Sequence, residues 1–490
     1  MRSRLKTLPI HTSIALMAML AACSEPIAPP VADVALSSAT TDQHRGGDEK
    51  SDDRQRGRVR CDADNGGITL PAGFCAVVVA DRIGAARHMA VTPNGDVFVA
   101  INQTRTRVPP FGIMALRDAD GDGKADEIRG FNAGRGGSGI AWGDGRLYFG
   151  ENDQIVRYRL RSGELVPSGA PEVVVGGLPN TGDHISKTLV LRDGRTLFVN
   201  IGSASNACQV ANRRAQSPGV FPCPELPVRA GVWTFDPRAT GQTQASGERY
   251  ATGYRNMVAL AVQRRTGELF GVMHGRDMLF ENWPQFFTVE EDAVLPAEEL
   301  VRISRGSNNG WPYCYFDAVF QHRKVLAPEY GGDGEKVRGT QGIDCSAFNQ
   351  PLVSFGGHWA PNGMHFYDGR QFPKRYRDGA FVAFHGGFDR APLPNEGYKV
   401  MFVPMTRTGR VAGAAEVFAD GFARSTGPLP QTAVHRPVGV TEGPDGSLYI
   451  SDDRGGRIWR VIFVGPRDAA DDDDDDRDGD HDGEGGGPRG

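Results

Sequence analysis

The chain has 490 residues and a formal net charge of −5, and its acid excess is concentrated in the C-terminal tail, a balance that predicts no nucleic-acid partner and leaves the substrate open. Gly at 65 and Pro at 32 exceed ordinary usage, which points to many turns and few long helices. All-β architectures of this length often form one unit.

Residues 1–23 read as a targeting segment. Arg2, Arg4 and Lys6 form a positive start, and Ile14–Ala22 is an apolar run too short to span a bilayer. The run ends Leu20-Ala21-Ala22-Cys23, which resembles a bacterial lipobox with Cys23 as the lipid-anchored N-terminus. The expected location is therefore the periplasm or cell envelope. Residues 24–59 lack periodicity and read as a disordered tether, and 466–490, with the run Asp471–Asp476, as a disordered acidic tail. Residues 60–465 remain as the folded body.

Six cysteines lie in that body: Cys61, Cys75, Cys208, Cys223, Cys314 and Cys345. An even count in an exported chain favours disulfides, and neighbouring pairs are the simplest choice, although sequence does not fix connectivity. No Cys-x-x-Cys-His occurs, which excludes a c-type haem, and no two cysteines have zinc-site spacing.

A hairpin unit recurs along the body. Its copies are His88–Ala100, Gly139–Gly150, Thr188–Ile201 around Asp193-Gly194, Val258–Val272, a looser Gly363–Phe384, and Val438–Ile450. An Asp-Gly or Asn-Gly pair between apolar, β-branched runs is a strong hairpin signal. Several copies add a third alternating strand, such as Gln154–Leu160, Gly231–Asp236 and Arg457–Ile462. Six multistranded units of this kind predict an all-β, six-bladed β-propeller, with Phe74–Val79 as an outer strand closing the ring. Longer inserts at about 205–230 and 280–360 are expected to wall the mouth of the central channel.

Loops entering the innermost strands converge on that mouth, so His184, Arg255 and Arg436 become neighbours. Asp183, His184 and Lys187 crowd one such loop, and a carboxylate beside an imidazole can orient it and raise its basicity, as a general base needs. Asp118-Ala-Asp120-Gly-Asp122-Gly123 opens like a calcium-binding EF-hand loop, but its twelfth position is Arg129 and its flanks are strand-like. It reads as a hairpin tip that either holds a structural calcium or is a bare Asp/Gly turn.

Five segments, Leu178…Asp183-His184…Asp193-Gly194, Tyr250–Asn256, Asn309–Tyr313, Ala360–Tyr367 and Arg436…Asp445-Gly446, occur in register with the blades. On these the body, roughly 65–463, resembles the soluble quinoprotein glucose/sorbosone dehydrogenases, and most of all their L-sorbosone dehydrogenase branch. The resemblance implies pyrroloquinoline quinone (PQQ) and Ca2+ as cofactors, a sugar, polyol or aldehyde substrate, and an external electron acceptor. It implies His184 as catalytic base with Asp183 beside it, and Lys187, Arg255, Asn256, Arg390 and Arg436 as cofactor-binding residues. Guanidinium forks suit the three carboxylates of PQQ and stack on planar rings. It further implies calcium held by the backbone carbonyls of Gly275 and Arg276, with Asp277 as an additional oxygen ligand. Arg276 and Asn362 depart from the residues of the soluble glucose enzymes, which puts glucose itself in doubt. Two other classes share the fold: a calcium-dependent lactonase-type hydrolase, which needs an acidic metal cup on the axis, and a non-catalytic surface-binding propeller. A basic slot with a free histidine distinguishes the quinoprotein from both.

Overall fold

A computed structural model describes residues 59–103, 108–425 and 427–466, so the targeting segment with Cys23, nearly all of the tether and the acidic tail lie outside the described residues. The six hairpin units become six sheets of four antiparallel strands, the second of which gains a short fifth strand, Gln242–Thr243, paired parallel to Glu172–Gly176. Their innermost strands, Ala86–Val91, Gly137–Gly143, Leu189–Arg192, Ala259–Gln263, Pro361–Phe366 and Pro437–Glu442, pack side by side in a closed ring. The fold is a six-bladed β-propeller. At the third blade Asp193 and Gly194 both have positive φ, 51° and 60°, as a two-residue I′ turn requires.

Ring closure comes from the expected strand. Phe74–Ala80 pairs antiparallel with Ile458–Phe463 and completes the sixth blade from the opposite end of the body. Its free edge is covered by the segment before it. Asp62 accepts from the Val78 amide (2.7 Å), Asn65 accepts from the Ala76 amide (3.1 Å), and a Cys61–Cys75 disulfide binds the two stretches. An edge capped in this way offers no template for another chain. Phe74 also sets its ring against Phe372, Tyr376, Phe418 and Phe463, with centroids 4.8–5.3 Å apart, which joins the fifth blade to the sixth.

The long inserts leave the third and fourth blades and pack on each other. Cys208–Cys223 and Cys314–Cys345 form disulfides within one buried cluster that includes Trp283, Phe287, Trp311 and Tyr330. All three cysteine pairs are therefore the neighbouring ones. Among the described residues no helix is long and apolar enough to cross a membrane.

Replacing Phe74 by Ala is expected to lower stability by about 3–5 kcal/mol, because four aromatic partners lose one face each. Urea unfolding of the two proteins measures this; a difference below about 1 kcal/mol would mean that closure does not depend on that ring.

Candidate active site

At one end of the channel the loops entering the inner strands meet the loops that leave the second strands. His184 lies there on the approach to Leu189–Arg192. Its Nδ1 faces the Ser203 carbonyl (3.1 Å) and the Ser203 hydroxyl (2.8 Å). Ser203 Oγ donates its own proton to the Ser205 carbonyl (2.6 Å), so towards His184 it accepts. Nδ1 therefore carries the hydrogen, and Nε2 keeps a lone pair. Burial, together with the charges of Arg255 and His274, pushes the imidazole well below its ordinary range, against an opposing pull from Asp277. The ring is neutral at pH 7 and can accept a proton at Nε2. Gly202 makes the approach possible: a Cβ there would come within 2.6 Å of His184 Cβ and 3.2 Å of Asn256 Oδ1.

Behind the histidine a polar lattice joins the third and fourth blades. Asn206, fully buried, accepts from Arg255 through both its backbone oxygen (3.2 Å) and its Oδ1 (2.9 Å), and its Nδ2 donates to the Asp277 carbonyl (2.8 Å). Asp277 Oδ2 takes Arg255 and Arg213, each at 2.9 Å. Burial alone would raise this carboxyl, but the two guanidiniums outweigh it and hold the group far below the usual carboxylate range. Glu298 braces the same wall by accepting from the amides of Gly275 (2.7 Å) and Ala360 (3.1 Å). A cleft of about 450 Å³ opens over His184, lined also by Asn102, Gln103, Asp183, Ser186 and Arg213.

Several expectations change on this frame. Asp183 does not touch His184: its carboxylate accepts from Arg213 Nε (3.0 Å) and Asn212 Nδ2 (3.2 Å), because the loop turns the two side chains apart, and Ser203 orients the imidazole instead. Lys187 is sealed inside the blade, where its ammonium donates to the carbonyls of Pro179 (2.8 Å) and Ile185 (2.6 Å) and cannot reach a ligand. Arg390 is likewise buried, on the carbonyls of Ala293, Gly357 and Pro394. Arg255 is 3% exposed and acts through Asp277 and Asn206 rather than at the cleft. Its Nη1 also occupies the Gly275 carbonyl (2.7 Å), which sets a guanidinium where a backbone-bound calcium would need an oxygen to itself. The Arg276 side chain turns away to Glu329.

Two expected residues stay at the mouth. Asn256 lies beside His184 with its Oδ1 buried and unpartnered, and Arg436 is half-buried, held by the carbonyls of His385 and Gly386. Around them stand His88, His274 and His385, all pushed down by burial. Ser203, Asn206, Arg213 and His358 were missed, since nothing in their local spacing marks them. In the acidic hairpin tip Asp118, Asp120 and Asp126 converge, and Asp122 instead caps the Lys124 amide (2.8 Å). The cluster's carboxylates mostly accept from their own loop's amides. A larger cavity, about 810 Å³, opens at the opposite end of the channel, where charged groups pair with one another, as Arg264 does with Asp368 (3.8 Å).

The sequence pattern of the TrAA12-like family matches residues 68–462. The chain belongs to that family. The Trichoderma reesei enzyme of carbohydrate-active family AA12 has a similar structure, with TM-score 0.64 and 18% identity over 83% of this chain and 99% of that one. The PQQ domain of a pyranose dehydrogenase from Coprinopsis cinerea, in its holo form, gives TM-score 0.63 and 19% identity over 81% and 97%. At these identities the likeness establishes the fold. An uncharacterized protein of Borreliella burgdorferi is 29% identical over 215 residues, 44% of this chain, and the match spans about half (48%) of that relative's length.

Lys187 generates a pH prediction. Burial, reinforced by Arg229, lowers its ammonium to about 7, whereas an unfolded lysine titrates near 10.4. Between these values the unfolded chain binds the extra proton, so stability rises with pH, by up to about 1.4 kcal/mol per unit. Wild type should gain on Lys187→Met from pH 7 to 10 in chemical denaturation; parallel curves would mean that the ammonium is solvated.

Proposed function

We propose that the protein is a PQQ-dependent dehydrogenase that oxidises a sugar, polyol or aldehyde of the aldose or sorbosone type and passes electrons to a separate acceptor. The observation that carries this reading is the free Nε2 of a neutral His184 facing a cleft edged by amides and a guanidinium. Family membership and the PQQ-holding pyranose dehydrogenase domain of the same fold support it. The residues present suit a planar tricarboxylate with N–H groups. Arg213 and Arg436 bring positive charge beyond the hydrogens spent on Asp183, Asp277 and the His385 and Gly386 carbonyls, and Asn102 and Gln103 bring side-chain amides. Asn256 Oδ1, an acceptor without a partner among the described residues, would take an N–H or hydroxyl rather than a carboxylate. Backbone-bound calcium fits less well, because Arg255 already holds the Gly275 carbonyl, and no step is derived through it.

When bound, PQQ would supply a quinone as the acceptor of a hydride, which carries both electrons of the oxidation, from the substrate carbon. His184 takes the hydroxyl proton at Nε2, and its Nδ1–H remains on Ser203, so the ring neither rotates nor changes tautomer. The imidazolium so formed is favoured by Asp277, whose position Arg255, Arg213 and Asn206 fix. These residues position the base; only His184 is assigned to the reacting atoms.

An acidic cup of the kind a hydrolase needs is present at Asp277, His358 and Asp389. Imidazoles and guanidiniums flank it around the mouth, and this basic slot beside a neutral His184 favours the quinoprotein over the hydrolase. We further propose export and lipid anchoring through Cys23, as the Leu-Ala-Ala-Cys sequence supports. Labelled fatty acid should enter wild type and not Cys23→Ser; equal labelling overturns the anchor.

Titration of the purified protein with PQQ, followed by dye reduction with a panel of aldoses, pyranoses and sorbosone, tests the function. Saturable binding is expected, with turnover that His184→Ala lowers about 10²–10⁴-fold. Because the imidazole is held below its usual range, kcat/KM should stay flat down through pH 6.5 and fall only in more acid solution. Absence of binding at micromolar PQQ contradicts the proposal.

A further inference from the structure

His358, in the turn before the fifth blade, has an unusual set of neighbours. It is 7% exposed, and its Nε2 donates to two backbone carbonyls, Asp292 (2.8 Å) and Leu295 (3.0 Å). Both contacts fix the hydrogen on Nε2 and aim Nδ1 the other way. Nδ1 has no hydrogen-bond partner among the described residues; it faces Asp277 Oδ1 at 3.9 Å, too long for such a bond. Asp389, from the loop after the second strand of the fifth blade, completes a triangle in which all three ligand atoms lie within 4.8 Å of one another.

Each corner is held independently. Asp277 spends Oδ2 on Arg255 and Arg213, which leaves Oδ1 for the triangle. Among the described residues the Asp389 carboxylate has no hydrogen-bond partner, and it stands against Asp277 and His358. Nearby, Asp292 and Glu281 crowd further carboxylates together, and burial pushes Asp292 up to about 8. A buried imidazole lone pair aimed between two carboxylate oxygens lacks only a positive centre.

We propose that Asp277, His358 and Asp389 form a side-chain seat for a divalent cation, distinct from the backbone carbonyls of Gly275 and Arg276. Two ligand atoms 3.9 Å apart subtend about 110–135° at an ion about 2.1–2.4 Å from each, within ordinary coordination angles. An imidazole nitrogen with two carboxylates suits a transition ion of the manganese or zinc kind better than calcium or magnesium, which take oxygen. The seat borders the cleft over His184 through Arg213, which lines that cleft and donates to Asp277 Oδ2 (2.9 Å).

The test needs no PQQ, so its failure and that of the dehydrogenase reading are separable. The metal-stripped full chain is titrated with Mn2+, read by loss of the aqueous Mn2+ paramagnetic signal, and with Zn2+ by calorimetry. One ion per chain is expected at micromolar concentration. Asp389→Asn, which removes a carboxylate that bonds to nothing else, should weaken it at least tenfold. His358→Asn should do the same, asparagine being tolerated at the positive φ of 62° found there. Asp120→Asn in the acidic hairpin tip should leave the affinity unchanged. Absence of binding, or binding that Asp120→Asn abolishes while Asp389→Asn leaves it intact, overturns the proposal. Thermal unfolding of each variant without metal confirms that it is folded.

Discussion

The pairing of Phe74–Ala80 with Ile458–Phe463 is the constraint on which the rest depends. Blades of an open propeller could splay, and every loop position at the mouth would shift with them. The closing strand converts six separately weak sheets into a ring whose inner strands have fixed neighbours. Its own edge is sealed by Asp62, Asn65 and the Cys61–Cys75 bond, so the chain's two described ends are locked at one place. Only then do loops separated by hundreds of residues become a site.

At that site the chemistry is divided between blades. The third supplies the base and the serine that fixes its tautomer; the fourth supplies Arg255 and Asp277, and Asn206 binds the two together. The guanidiniums are therefore mostly internal. They set the ionisation of Asp277 and the neutrality of His184, and only Arg213 and Arg436 keep an edge at the surface. A neutral imidazole with one committed nitrogen is what a proton acceptor requires, and burial achieves it without a partner carboxylate at Nδ1.

The architecture was legible because hairpin chemistry is local. Asp193-Gly194 and its counterparts declare turns within two residues, and the period of the copies yields the blade count. The inner strand of the third blade, Leu189–Arg192, starts one residue inside the expected unit Thr188–Ile201, a boundary shift that hairpin signals cannot resolve. The site was legible only in part. His184, Asn256 and Arg436 lie where blade register puts them. Lys187, Arg390 and Asp183 have the right residue type in the right loop, yet their partners are carbonyls or Arg213 supplied by segments remote in sequence. Burial of a charged side chain depends on which distant backbone faces it, and no spacing rule encodes that. The same reason hid His358, whose role depends on two carbonyls from another loop.

The central claim is that His184 waits as a neutral base with its hydrogen on Nδ1. Nitrogen-15 NMR of the imidazole side chains, with His184→Asn to assign the signal, measures tautomer and titration directly. The account predicts the Nδ1–H form throughout pH 6 to 8, with a shift in that resonance when PQQ is added. A ring that is protonated at pH 7, carries its hydrogen on Nε2, or does not respond to PQQ would contradict it.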